Sequence, residues 1–161
     1  MPVVSSEKNI EQLTLSFVAE FRQERSRVWQ LWSDARQLER WWGPPSWPAT
    51  FRSHDFVEGG GCSYHMTGPD GEIANGWWKF RAIEEPNRIE FEDGFSDDSG
   101  EPDPTMPKIR GTVELESIAA GTRLTVVSSF ASPEQMEQLS AMGMEEGMRQ
   151  AMGQMDSILF D

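Results

Sequence analysis

The chain has 161 residues, the size of one domain with a single hydrophobic core. Its 14 Lys and Arg stand against 27 Asp and Glu, a net charge of -13, so a nucleic-acid backbone or an anionic membrane surface would repel it. The lone Cys62 excludes an intramolecular disulfide, and no apolar run approaches the roughly twenty residues of a membrane helix. We expect a single cytoplasmic domain over residues 1–161, with its core at about 13–160, no nucleic-acid partner and no membrane insertion.

The first predicted elements are a strand and two short helices. Apolar and polar residues alternate from Leu13 to Phe21, the period of two that is typical of a half-buried strand. Ser26 can cap a first helix, and Asp34 with Gln37 three residues later has the spacing of a capping box for a second. Gly43-Pro44-Pro45 cannot continue a helix, so the chain is expected to turn there.

The segment from Ala49 to Phe130 is rich in β-branched and aromatic residues and is punctuated by turn signals. The turn signals are Gly68-Pro69-Asp70-Gly71, Glu85-Pro86-Asn87-Arg88 and Ala119-Ala120-Gly121-Thr122. They predict an antiparallel meander of about six strands, and about seven strands in all. Strand parity predicts inward positions for Tyr64, Met66, Trp78, Phe80, Ile89, Phe91, Val113 and Leu115. By the same parity Trp77 faces outward.

The last segment is predicted to be one long helix. Ser132 can cap it, Pro133 suits its first position, and Gln135 completes a capping box. At 100 degrees per residue one broad arc is apolar and rich in methionine. That arc holds Met136, Met144, Gly147, Met148, Ala151, Met152, Met155, Ile158 and Leu159, with Glu145, Arg149, Gly153 and Asp156 opposite.

Three motifs occur together in an order that is typical of one group of proteins. They are the run from Leu38 to Pro45 with its paired tryptophans, Glu58-Gly59-Gly60-Gly61, and the Gly68–Gly71 turn. On these motifs the chain resembles, from about Leu13 to Phe160, the SRPBCC (START-like, pollen-allergen-like) superfamily. Within it the chain is similar to single-domain proteins related to the activator of the heat-shock-protein-90 ATPase. The resemblance implies that Trp41 and Trp42 close the open end of the sheet.

The resemblance and the periodicity predict the same α+β architecture. This is the helix-grip fold, a curved antiparallel sheet of about seven strands wrapped around a long C-terminal helix, with two short helices after the first strand. Such a scaffold can leave an apolar interior, and pockets of this kind take small, mainly hydrophobic molecules. Methionine adapts to guests of different shape but equally fills irregular core space, and inward aromatics are ordinary core unless a void lies beside them.

We therefore predict a cavity between the sheet and the C-terminal helix that binds a small apolar or amphipathic, lipid-like molecule. Its predicted ligand-binding residues are Phe56, Tyr64, Met66, Trp78, Phe80, Phe91, Val113, Met144, Met148 and Met155. Tyr64 has added value because a buried phenol needs a hydrogen-bond partner and could anchor the polar end of a ligand.

No set of residues with the pattern of a catalytic or metal site is recognisable. His54 shares a parity with Phe56 and could point inward, whereas His65 points away from Tyr64, and neither has metal-ligand spacing. Cys62 is interpreted as a small buried apolar residue. No catalytic residue, metal or cofactor is therefore predicted. The acid-rich segment from Glu92 to Asp103 is interpreted as a solvated, mobile loop near a cavity mouth.

Two classes of function remain open. The first is binding of a small apolar ligand. The second is a protein-interaction module, which the resemblance to the ATPase activator implies, with Trp77 and the acid-rich segment as candidate surfaces; a protein partner or a homodimer stays open. An enzyme of the cyclase or hydrolase type is a distant third.

Overall fold

The computed structural model describes residues 3–160, with side chains described from residue 5 onward. Within these residues the chain forms eight strands and five helices. The strands are β1 (Val3–Asn9), β2 (Thr14–Phe21), β3 (Ala49–His54), β4 (Gly61–Thr67), β5 (Ile73–Glu84), β6 (Arg88–Phe95), β7 (Ile109–Ile118) and β8 (Gly121–Ser129). The helices are α1 (Arg25–Ser33), α2 (Ala35–Trp41), α3 (Pro133–Ala141), α4 (Met144–Met152) and α5 (Met155–Leu159).

All eight strands belong to one antiparallel sheet in the order β1-β2-β8-β7-β6-β5-β4-β3. The six-strand meander and the two helices that follow the first predicted strand are confirmed. The predicted total of about seven strands is corrected to eight by β1, which pairs with β2 from Val3↔Ala19 to Asn9↔Thr14. The segment VVSSEKN lacks the apolar alternation of a half-buried strand, so its pattern did not reveal it.

Side-chain caps fix two of the helix starts. Asp34 caps α2 as predicted, with its Oδ1 accepting a hydrogen bond from the Arg36 backbone N–H at 3.0 Å. Ser132 caps α3 by accepting from the Gln135 N–H at 3.1 Å. The predicted cap at Ser26 is wrong, because α1 already begins at Arg25 with Glu24 at the cap position.

The C-terminal helix is not continuous, which corrects the prediction of one long helix. Gly143 has a φ of 83°, in the left-handed region that ends a helix, and it separates α3 from α4. A milder break follows at Gly153 and Gln154, where the Gln154 N–H donates to the Ala151 carbonyl three residues back. The Gln154 side chain then donates to the Gly43 carbonyl at 2.8 Å and ties this break to the end of α2.

Four buried indoles close one end of the sheet. We call Trp32, Trp41, Trp42 and Trp78 the tryptophan cluster. Ring centroids are separated by 4.7 Å from Trp32 to Trp41, 5.6 Å from Trp41 to Trp42, and 4.7 Å from Trp42 to Trp78. The Trp41 N–H also donates to the Leu31 carbonyl at 2.9 Å. Through these rings α1 and the end of α2 contact Trp78 of β5, and all four indoles are buried.

Candidate ligand cavity

Next to the tryptophan cluster, whose Trp42 forms part of the wall, a cavity of about 420 Å³ lies between the concave face of the sheet and the helices α3 and α4. Its sheet side is lined by Tyr64, Met66, Phe91, Asp93, Phe95, Ile109, Val126 and Ser128. Its helix side is lined by Leu139, Met144, Gly147, Met148 and Ala151. The rim carries Met142, which is exposed, and Pro44 and Trp47 from the turn after α2. The lining is apolar with few polar groups, the usual character of a small-molecule pocket.

The sheet side of the cavity leaves room for a ligand because two aromatic residues lie opposite glycines. Tyr64 pairs with Gly76 across β4 and β5, and Phe91 pairs with Gly111 across β6 and β7. A Cβ at either glycine would overlap the ring of its partner. Each ring therefore lies flat over a position without a side chain, and the space above it is left empty.

The roof of the cavity is open for a related reason. Gly147 occupies the middle of α4, and a Cβ built there meets nothing within 4 Å. Residues three and four apart share one face of a helix, so Gly147 lies on the same face as Met144 and Ala151, which line the cavity. A side chain at this position would enter the space that Gly147 leaves.

Besides Ser128, a carboxyl group and a phenol that are hydrogen-bonded to each other form the polar part of the cavity. The Tyr64 hydroxyl donates to Oδ1 of Asp93 over 3.2 Å. Burial raises the pKa of Asp93 to about 7, even though hydrogen bonds from its neighbours act in the opposite direction. Burial also raises the pKa of Tyr64 well above that of a free phenol, and the nearby Asp93 charge adds to the shift.

Two indole N–H groups surround this pair. The N–H of Trp42 is near the Tyr64 oxygen, and that of Trp78 is near the Asp93 carboxyl. Both nitrogens are buried, and neither reaches the geometry of a full hydrogen bond within the described residues. The polar group of the cavity is therefore built from Asp93 and Tyr64, with weaker support from the tryptophan cluster.

Asp93 corrects the interpretation of the acid-rich segment. Residues from Glu92 to Phe95 belong to β6 and not to a loop, and Asp93 faces the cavity. The signal that could have found it is parity, because Asp93 follows Ile89 and Phe91 at intervals of two. The run of acids beside Gly94 concealed that signal, since such a composition is typical of solvated loops.

The structure brings half of the predicted ligand-binding residues to the cavity. Those that line it are Tyr64, Met66, Phe91, Met144 and Met148. Those that lie elsewhere in the core are Trp78, Phe80, Val113 and Met155, each almost fully buried. Phe56 is half-buried and packs against Trp29 and Phe80 at centroid distances of 5.7 and 5.1 Å. Ligand contact by any of the ten stays a prediction.

Trp77 lies on the convex face, opposite in direction to Trp78, as its parity predicted. Its ring covers Gly94, where a Cβ would overlap the indole, and its N–H donates to the Phe95 carbonyl at 3.1 Å. The residue is half-buried. It is therefore a fixed part of the sheet surface.

The histidines and the cysteine lie outside the cavity lining. His54 is half-buried with its Nε2 3.1 Å from the Trp32 carbonyl, and burial lowers its pKa. Cys62 is buried, and burial raises the pKa of its thiol above the ordinary range. Within residues 3–160, no group of His, Cys, Asp or Glu is arranged to hold a metal ion. Over the same range no helix combines the length and the apolar character that a membrane span requires.

Comparison with known proteins identifies the fold and the family. The family model described as Activator of Hsp90 ATPase homolog 1-like protein matches residues 22–159. The solution structure of a protein from Arthrobacter aurescens is 53% identical, with a TM-score of 0.93, and the match covers 98% of this chain and 91% of that one. The crystal structure of a protein from Mycobacterium smegmatis is 41% identical, with a TM-score of 0.90 and coverage of 98% and 97%.

A more distant protein from Rhodobacter sphaeroides has 22% identity, a TM-score of 0.79 and coverage of 98% and 96%, and at that identity the likeness concerns the fold alone. None of the curated proteins matches the chain.

Proposed function

The chain belongs to the family of Activator of Hsp90 ATPase homolog 1-like proteins in the SRPBCC superfamily, and we propose that it binds a small, mainly apolar ligand in the cavity beneath α4. The observation that carries the proposal is the empty space between the floor of Tyr64 and Phe91 and the roof at Gly147. Its volume of about 420 Å³ falls within the range of known small-molecule pockets, roughly 300 to 1,000 Å³.

The composition of the lining supports an adaptable site. Met66, Met144 and Met148 are unbranched and half-buried, so they can repack around guests of different shape. Met142 stands exposed on the rim, where an apolar molecule would enter. A glycine in the middle of a helix lowers helix stability by about 1 kcal/mol relative to alanine. At Gly147 the absent side chain leaves open space, which a ligand could use.

The proposal is tested by titrating the protein with Nile red, a neutral apolar dye that becomes fluorescent in apolar surroundings. The wild type is expected to bind the dye and to show a raised melting temperature as the dye concentration exceeds Kd. Gly147→Leu places a side chain in the cavity and is expected to weaken binding at least about tenfold, or about 1.4 kcal/mol. Because leucine is a better helix former than glycine, the variant should fold.

Gln150→Leu is the matched control. Gln150 is exposed on the same helix and outside the cavity lining, so the same apolar addition should leave dye affinity unchanged. Equal affinity for Gly147→Leu and wild type would contradict the proposal. Absence of any dye binding by the wild type would favour the protein-interaction alternative.

A further inference from the structure

Within the described part of the chain, the cavity lining contains an acidic side chain and no basic one. Among the described residues that line it, Asp93 has the only carboxyl group, and none carries a basic side chain. Fatty acids and other anionic amphiphiles would therefore meet a carboxyl group with no cation to pair with their own charge. Their approach is also opposed by the net charge of -13.

The Asp93 carboxyl retains capacity for a ligand. Tyr64 donates one hydrogen bond to Oδ1, and the Trp78 indole N–H and the Gly94 backbone N–H also lie near the carboxyl, whereas an ionised carboxylate can accept about four hydrogen bonds. The residue is half-buried, and its carboxyl is shielded from solvent but lines the cavity, so a ligand inside can reach it. A charge-assisted hydrogen bond in such apolar surroundings is stronger than a neutral one.

From this geometry we propose that the ligand is a cationic amphiphile, with a protonated amine that binds Asp93 and an apolar body that lies between Phe91, Met144 and Met148. The inference rests on the proposed function and adds the chemical class of the ligand. The Tyr64 hydroxyl holds the carboxyl in place by its hydrogen bond, and it is a positioning residue for the amine. Protein charge favours the same class, because acidic surroundings concentrate cations.

The surroundings of Asp93 make the binding depend on pH. The titratable groups that face it are Tyr64 and Cys62 on β4, and burial raises the pKa of both. The neighbouring strands present Trp78 and Ile109 opposite it, and α4 presents Met144 and Met148, none of which titrates. With the Asp93 pKa at about 7, the carboxyl is neutral in acid and charged in base. Affinity for an amine should thus rise with pH through neutrality, as long as the amine stays protonated.

The experiment uses three probes with the same tail, namely decylamine, decanol and decanoate, each measured by displacement of Nile red. In the wild type at about pH 8.5, decylamine is expected to bind at least about tenfold more tightly than decanol, a difference of about 1.4 kcal/mol, and decanoate more weakly than both. At about pH 5.5 the preference for decylamine over decanol should shrink, since Asp93 is then protonated.

Two variants locate the effect. Asp93→Asn removes the charge but keeps the shape, and it is expected to reduce the preference for decylamine over decanol to less than about threefold while decanol still binds. Asp98→Asn removes one charge from an exposed position outside the cavity and should keep the wild-type preference. The pH series on the wild type requires no variant, so the proposal can fail even if Asp93→Asn does not fold.

The outcomes separate the two proposals. Decanol binding with no preference for decylamine, or an equal preference in Asp93→Asn and wild type, overturns the cationic ligand and leaves the cavity as an apolar site. Tighter binding of decanoate than of decylamine does the same. Failure of all three probes and of Nile red overturns the proposed function itself, and the inference with it.

Discussion

The two ends of the concave face of one sheet are filled in opposite ways. At one end the tryptophan cluster packs indole against indole, with Trp32 and Trp41 almost fully buried beneath α1 and α2. At the other end Tyr64 and Phe91 lie flat over Gly76 and Gly111, and α4 places Gly147 above them. The first end is dense core, and the second is a cavity of about 420 Å³.

The difference shows that a cavity in this fold depends on where glycine stands as much as on which aromatics are present. Both ends are aromatic, and both lie on the same face. A large residue opposite another large residue fills the space, whereas a large residue opposite glycine tilts over it and leaves space above. We call the end with the tryptophan cluster the packed end and the end with Gly76, Gly111 and Gly147 the glycine end. Mutations at the packed end should mainly lower the free energy of unfolding, and mutations at the glycine end should mainly change ligand affinity.

The largest expected effect is at the packed end. Trp41→Ala removes a fully buried ring together with its hydrogen bond to Leu31, and it should lower the free energy of unfolding by about 3–5 kcal/mol. Met148→Ala at the cavity removes a half-buried side chain and should cost less than about 2 kcal/mol. Urea denaturation of both variants measures the difference. Similar losses at the two ends would remove the contrast.

A smaller effect is expected at the floor of the cavity. In Gly76→Ala the added methyl overlaps the Tyr64 ring, which must rise into the cavity and leave Asp93. We expect a loss of about 1–3 kcal/mol in stability, as for an overpacked core, together with loss of Nile red binding. Denaturation and dye titration of the same sample test both parts. Unchanged dye affinity would show that the flat ring does not maintain the space.

Asp93 should make stability depend on pH in the direction opposite to a paired surface acid. Its pKa is raised in the folded protein to about 7, so the unfolded chain releases this proton at lower pH and folding favours the protonated form. Stability from this residue is present in acid and is lost as pH rises toward and through about 7. Between about pH 6 and about pH 8 the wild type should lose roughly 1 kcal/mol relative to Asp93→Asn.

Denaturation of the two proteins across that range measures the difference, in which the other acids cancel. If the wild type gained stability relative to Asp93→Asn as pH rises, the pKa of Asp93 would not be raised by burial.

The smallest effect is a gain at the roof. Gly147→Ala adds a methyl that meets nothing within 4 Å, so it gains helix propensity without a clash. The melting temperature should rise by the equivalent of up to about 1 kcal/mol, and Nile red should still bind. The stability changes of Gly147→Ala and Gly76→Ala should therefore have opposite signs, because the first glycine faces open space and the second is covered by the Tyr64 ring. If Gly147→Ala were less stable than the wild type, the added methyl would have to clash with a neighbouring atom, which contradicts the open space at this position.

The sequence predicts elements wherever a local rule operates. Alternation from Leu13 to Phe21 and the caps at Asp34 and Ser132 place the second strand and two helix starts correctly. The left-handed Gly143 breaks the predicted long helix, and a glycine inside a periodic pattern does not reveal its φ. The strand β1 has no apolar alternation in its sequence, and only its pairing with β2 identifies it as a strand.

The cavity was harder to predict than the fold. Parity identified Tyr64, Met66 and Phe91 on the correct face, and the methionine arc identified Met144 and Met148. Which inward residues line a void depends on cross-strand pairs such as Tyr64↔Gly76, and register of that kind is set by tertiary pairing. Trp78 and Phe80 obey the same parity as Tyr64, yet their large neighbours enclose them.

Methionine methyl NMR can distinguish a ligand site beneath Gly147 from the surrounding core. With isotope-labelled methionine methyl groups, decylamine is added stepwise and each resonance is followed. We expect saturable shifts for Met66, Met144 and Met148, which line the cavity, and little change for Met152 and Met155, which are fully buried outside its lining. Saturable shifts confined to Met152 and Met155, or no saturable shift at any methionine, would contradict a ligand site in the cavity.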